Sequence, residues 1–200
     1  MSTKKKLGIA ISGMVVIVVI IAAIYGKRVY ESYQFPYGSE HRCDKQLYLA
    51  LVFYAEKHDG AFPSGEATSE ASLSLIHTLD DMSECGYLLH RRDVPVKLVD
   101  DMFKRGELLG PETCGWNYVE GLRSDSNPEL ALFWDKEGLS EIGMRLSGGG
   151  HIVTFVDGRS EQIPESEWND FMEKQEKMLA EEMAKRQPLR RLKPERREGP

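Results

Sequence analysis

Acidic residues are missing from the first 28 positions of this chain, and no charge of either sign interrupts Leu7–Tyr25. That excludes an ordinary amphipathic surface helix there, which needs a polar face. Cysteine is scarce. Cys43, Cys85 and Cys114 form no C-x-x-C pair, and the five histidines form neither H-x3-H nor H-E-x-x-H, so no zinc signature is present. No G-x-S-x-G occurs, and no ordered Ser/His/Asp set marks a nucleophile. Gly148-Gly149-Gly150 lacks the lysine and following helix of a phosphate loop. These absences lead us to expect no catalytic residue, no metal, no cofactor and no enzyme activity.

What is present falls into three segments. Residues 1–28 carry five basic residues; 187–200 carry five basic and two acidic; the body, 29–186, holds 16 basic against 30 acidic. So acidic a body repels a phosphate backbone, and nucleic acid is not an expected partner. As a helix, residues 7–25 would extend roughly 28 Å, close to the hydrocarbon thickness of about 30 Å. The run is longer than a signal-peptide core of about 7–15 residues, and Ala22-Ala23 is followed by no A-x-A pattern. We therefore expect an uncleaved transmembrane helix at 7–25 in contact with membrane lipid. Lys4, Lys5 and Lys6 before it favour a cytoplasmic N-terminus (residues 1–6) and an extracytoplasmic body, in a single pass of the inner membrane. Gly8 and Ser12 form a small-xxx-small pair that suits helix packing, though ordinary small residues of a span explain it as well.

Pro36 and Gly38 place a linker at 26–38, and Ser39 is suited to cap a second helix. Cys43, Leu47, Leu51 and Tyr54 share one face of it, Ala50 and Val52–Ala55 widen that face, and Gly60 supplies a stop. A short helix is expected over 70–82, with Leu73, Ile76, His77 and either Leu79 or Asp80 at its inner or edge positions, and another near 98–105. Arg91-Arg92-Asp93 reads as a charged turn. "GWNYVEGL", "ELALFWD" and "HIVTFVDGRSEQI" supply short strands. In the last, Asp157-Gly158 predicts a two-residue type I′ hairpin. Both faces of "HIVTFV" are apolar, as in a central strand covered by a helix. Residues 165–186 form an amphipathic helix with Trp168, Phe171, Met172, Gln175, Leu179 and Met183 on one stripe. Its first half is expected to dock to the sheet; its second half either packs on a partner or projects into solvent. The proline-containing basic tail, 187–200, reads as disordered.

Together "CDKQLYLALVFYAEKHDGAFP", "YVEGL", "LFWDK" and "GGGHIVTFVDGRSE" resemble the pilin-like proteins close to type II secretion pseudopilins that end in a His-x9-Asp-Gly domain. The resemblance covers about 39–63 and 116–163. It implies an α+β fold over 39–164, with the amphipathic helix on a small antiparallel sheet, and a structural or interaction role in a secretion-system-like or envelope assembly. Partners would be met through the transmembrane and C-terminal helices. Two departures stand out. The family histidine ten residues before Asp157 is Ser147 here. Were Gly8 the peptidase site, the family glutamate five residues after the cut would be Gly13. The resemblance thus carries the architecture further than it carries processing. The alternative is a membrane-tethered ligand-binding or sensory domain using the surface around the Gly148–His151 loop; Asp157 is read first as a turn residue, with a carboxylate of a cation site as the other reading. For an extracytoplasmic domain, Cys85 and Cys114 are the pair able to bridge the irregular middle to the sheet, with free buried thiols as the other reading. Asp80-Asp81 and Asp100-Asp101 are most simply solvated surface on so acidic a chain.

Overall fold

The computed structural model describes residues 3–79, 82 and 85–191, and within its first and last helices the side chains of 14, 16–34 and 168–186. Helix α1, Thr3–Gln34, leads into a head made of α2 (Asp44–Lys57), α3 (Ser69–Ser74), α4 (Gly86–Leu89), α5 (Val96–Lys104), four strands and α6 (Trp168–Arg191). The strands β1 (Trp116–Tyr118), β2 (Ala131–Asp135), β3 (His151–Phe155) and β4 (Ser160–Ile163) form an antiparallel meander in sequence order. The α+β class and the four-stranded sheet agree with expectation. The transmembrane helix does not follow from the fold: among the described residues, no helix is long and apolar enough to cross a membrane. Of Lys4–Lys6 and of residues 7–13 and 15 of the expected span, Gly8 and Ser12 among them, only the helical backbone is described and not the side chains.

The sheet is covered on both faces, because β2 and β3 are apolar on both. Trp116, Tyr118 and Phe133 share a core with Leu47, Leu51 and Tyr54 of α2. Ala131, Val153, Phe155 and Ile163 meet Trp168 and Phe171 of α6 on the other side. Helix α6 docks further than its first half. Met178, Leu179 and Met183 pack on the main core, and Glu182 and Arg186 pair beside Asp125. Gln175 lies in the stripe for a polar reason. It accepts from the Ala131 amide (2.9 Å) and donates to the Glu129 carbonyl (3.1 Å), next to a bulge in β2. The helix continues to Arg191, so 187–191 are not the expected disordered tail; 192–200 lie outside the described residues.

Several boundaries differ from the sequence expectation. Residues 26–34 are helix rather than linker; α1 stops two residues before Pro36, consistent with proline's restriction of the residue preceding it. Helix α2 begins at Asp44, with Cys43 rather than Ser39 at its N-cap. Residues ahead of it stay outside the helix so that the Arg42 amide can donate to the Glu141 carbonyl (2.8 Å). Phe53, expected on the inner face, is 54% exposed. The expected 70–82 helix is shorter, with Thr68 capping α3 and a single 3-10 turn, Leu75–Thr78, after it. Leu73, Ile76 and Leu79 are inside, and His77 takes an edge position, half-buried and stacked on Phe103; Asp80 lies outside the described residues. The Cys85–Cys114 bridge is not formed: all three thiols are free, and burial pushes Cys85 and Cys114 up to about 12.

The β3–β4 turn is also corrected. Asp157 does not have the positive φ that a type I′ turn requires at both central residues. The loop has three residues, Val156–Gly158. The Gly158 amide donates to the Phe155 carbonyl and the Phe155 amide to the Arg159 carbonyl, both at 2.9 Å, with only Gly158 left-handed (φ +82°). This is the type I turn with a glycine bulge. The extra residue is admitted because Val156 is buried and its amide reaches the Leu130 carbonyl (3.0 Å). Helix α2 closes over the turn, with the Tyr48 hydroxyl donating to the Val156 carbonyl (3.0 Å). A Cβ at Gly158 would lie 2.5 Å from the Tyr48 ring. Gly158→Ala is therefore expected to destabilise the chain by about 1–3 kcal/mol, whereas Asp157→Ala, which removes one exposed turn bond, should cost about 1 kcal/mol or less. Urea unfolding in detergent, followed by tryptophan fluorescence, measures both; equal effects would contradict this account of the turn.

Candidate functional site

The densest polar chemistry lies where α1 joins the head. Arg42 precedes α2 and is 1% exposed. Its guanidinium donates to the Asp135 carboxylate (2.6 Å) and the His90 carbonyl (2.5 Å), and lies over the Trp116 ring. The strand pleat explains the meeting. Asp135 ends β2 opposite Trp116 of β1, in register with Phe133 on the α2 side of the sheet. Arg92 is buried too, not part of an exposed turn. It donates to the carbonyls of Glu40 and Ser140, both at 2.8 Å, from beside Asp135. Only Arg91 behaves as the expected surface residue, pairing with Asp93 and Glu112.

Burial, then the charges of Glu141 and Asp135, raise the Asp44 carboxyl to about 7. Burial and neighbouring Asp135 raise Glu137 to about 7 as well. Burial, then the adjacent Arg42 charge, lowers Arg92. His90 Nδ1 lies 2.9 Å from the carbonyls of both Arg91 and Val94, so it carries the proton; Nε2 lies 3.4 Å from Glu40. The two guanidiniums therefore tie the strap of residues 40–42 to β2, to the His90 loop and to the 140–141 loop. The cluster holds no hydroxyl or thiol nucleophile. Among the described residues no group of histidine, cysteine, aspartate or glutamate is arranged to hold a metal ion.

Beside the cluster opens a cleft of about 780 Å³ between Tyr30 and Tyr33 of α1 and the Met144–Gly150 loop. Ser147 and His151 both line it. The Ser147 carbonyl accepts from Gln162 (2.9 Å); His151 donates from Nδ1 to the Asp135 carbonyl (2.8 Å) and packs on Trp168, with ring centroids 4.3 Å apart. Asp157 and Gly158 lie beyond the far end of β3, roughly 17 Å along a five-residue strand from this cleft. Asp157 thus shares no site with Ser147 or His151. Of the paired carboxylates, Asp100 accepts from the Gly86 amide and Asp101 from Lys97, while Asp80-Asp81 lie outside the described residues.

Sequence reasoning missed the cluster itself: Arg42, Asp44, Arg92, Asp135 and Glu137. The available signal was charge within apolar runs, namely Arg42 and Asp44 flanking Cys43 and Asp135 closing "ALFWD". Comparison with protein-family models, curated proteins and solved structures found no match to this chain.

The raised carboxyls make stability depend on pH in a definite direction. Asp44 and Glu137 bind their protons more tightly in the folded chain than at their ordinary values of 3.8 and 4.5. Their contribution is complete below those values and is lost as pH rises through about 7. The lowered carboxyls, such as Glu70 and Asp93, act below the ordinary carboxylate range and leave this window clear. The urea midpoint should therefore be higher near pH 5.5 than near pH 8, with Asp44→Asn narrowing the gap. A midpoint that rises with pH in the parent chain would refute the assignment.

Proposed function

We propose that this chain is a membrane-anchored, pseudopilin-like structural or interaction protein of a secretion-system-like or cell-envelope assembly, with its head outside the cytoplasm. The observation that carries the reading is the bareness of α1. Val16 to Ile21 are consecutive and each is 52–61% exposed. At 100° per residue they take in every side of the helix, so no face of this apolar stretch is covered by the chain's own head. Such a rod needs lipid or other apolar helices around it. Joined to Leu7–Gly13 in the uncharged run, it has the length of a hydrocarbon core.

The head supports the structural half of the proposal. A helix following the rod crosses a four-stranded antiparallel meander, and the chain ends in a helix docked on the opposite face. Arg145 bonds the head to the last turn of the rod, at the Tyr33 and Gln34 carbonyls, as a subunit that transmits position requires. The rod and the exposed Leu49 and Phe53 of α2 are the surfaces on which neighbours would pack.

Cell fractionation tests the anchor. The chain should stay in the membrane pellet through an alkaline wash, with its N-terminus intact, and a variant lacking residues 1–25 should leave it. Recovery of the unprocessed chain as a freely soluble species would end the proposal. A mature N-terminus at Ile9 bearing a methylated amine would instead replace the unprocessed form with a fully processed pseudopilin.

A further inference from the structure

The 136–150 loop touches α1 at its tip and the buried charge cluster at its base. At the tip, the Arg145 amide donates to the Gln34 carbonyl and its Nε to the Tyr33 carbonyl, both at 2.9 Å. Gly143 lies against the bend that follows α1; a Cβ there would be 2.8 Å from the Gly38 carbonyl. At the base, the amides of Glu137 and Leu139 donate to the Asp135 carboxylate (2.9 and 3.4 Å). The Ser140 carbonyl accepts from Arg92 and the Glu141 carbonyl from the Arg42 amide, both at 2.8 Å. A displacement of the base is therefore passed to the grip on α1.

The base rests on an unbalanced set of charges. Arg42 and Arg92 supply two buried positive charges, while Asp44, Asp135 and Glu137 supply three carboxyls. Asp44 and Asp135 are buried, and the Glu137 side chain is 14% exposed. Asp135 is matched closely, by Arg42 at 2.6 Å. Glu137 stands 3.8 Å from Arg42, and one of its oxygens has no hydrogen-bond partner among the described residues. Two guanidiniums do not match three buried carboxylates, so one carboxyl holds a proton or stands as an uncompensated charge. Glu137 also lines the cleft beside α1, which gives that proton a route to solvent.

We propose that the 136–150 loop is a proton-gated clasp, seated on the end of α1 while the cluster beneath it keeps its extra proton and released when that proton leaves. Every group involved belongs to the chain itself, so the clasp does not depend on the anchored reading. Asp44 is faced by Asp135 of β2, Glu141 of the loop, Arg42 of the strap and Arg92; Glu137 is faced by Asp135 and Arg42. Around them, Glu40 approaches His90 (3.4 Å) and Glu141 approaches the exposed His41 (3.7 Å). The direction follows from Asp44 and Glu137, whose carboxyls are raised to about 7. Seating is complete at low pH and is lost as pH rises through about 7.

The test uses the full chain in detergent, with spin labels at Arg28→Cys on α1 and Lys174→Cys on α6 in a Cys43→Ser background. Both labelled positions are exposed, and Cys85 and Cys114 are buried. Pulsed dipolar spectroscopy should give a narrow distance distribution near pH 5.5 and one at least about twofold wider near pH 8.5, with tryptophan emission unchanged. Asp44→Asn combined with Glu137→Gln should keep the distribution narrow at both pH values, and Arg145→Ala should leave it wide at both. If the combined variant does not fold, Asp44→Asn alone should at least halve the widening. A width independent of pH in the parent chain overturns the clasp. So does widening that these carboxyl substitutions leave unchanged, or that His41→Gln abolishes. Tryptophan emission that shifts together with the width also overturns it, because the whole head would then be unfolding.

Discussion

The contact between Arg42 and Asp135 governs how this molecule is assembled. Both side chains are almost wholly buried and meet at 2.6 Å. A guanidinium without water around it must be matched by a carboxylate and by carbonyl acceptors, and breaking such a pair costs about 3–5 kcal/mol. Arg42 belongs to the strap between the two long helices, while Asp135 ends the second strand. Their pairing sets where α2 begins and ties the end of β2 to that strap. Arg92 then extends the same tie to the carbonyls of Glu40 and Ser140. Four buried polar atoms here, the Nε of each arginine, His90 Nε2 and one Glu137 oxygen, have no hydrogen-bond partner among the described residues. A purely apolar junction would avoid that cost, so the arrangement is better explained by placement than by stability.

The rest of the head follows from covering a sheet that is apolar on both sides. Strand β3 is central and alternates Val153 and Phe155 toward α6 with Thr154 toward the α2 side. One helix cannot cover both faces, which is why the terminal helix is needed. Where the bulge in β2 interrupts regular pairing, Gln175 supplies the missing partners from the facing helix. Helix α6 is thus held by polar bonds near its middle as well as by Trp168 and Phe171 at its start.

Legibility in the sequence tracked periodicity and failed where long-range polar pairing decided the outcome. Leu47, Leu51 and Tyr54 declare the inner face of α2; β1 to β3 are visible as apolar runs bounded by turn residues, and the polar β4 only from the Asp157-Gly158 turn before it. The start of α2 was not visible, because Ser39 looks like a cap and the reason it is not one lies at Glu141 and Asp135, about 100 residues away in the chain. The turn type was misjudged for a similar reason. Asp-Gly favours a two-residue loop locally, but burial of Val156 and its bond to Leu130 add a third. Arg92 looked like a solvated charge among its neighbours, and nothing within the local sequence distinguishes it from Arg91.

The bare rod and the buried clamp bear on each other. An apolar helix free to swing from its head would gain nothing from a fixed cluster of charges at its base. Here the last turn of the rod is bonded to the head at Gln34 and Tyr33, and the strap beyond it is held by Arg42 and Arg92. These contacts lie on opposite sides of the Phe35–Gly38 bend, so together they restrain the angle between rod and head. On the anchored reading proposed above, a helix held in lipid would fix the orientation of the acidic head as well as its distance from the bilayer. Orientation is what that reading requires of a subunit whose neighbours must find the same face each time.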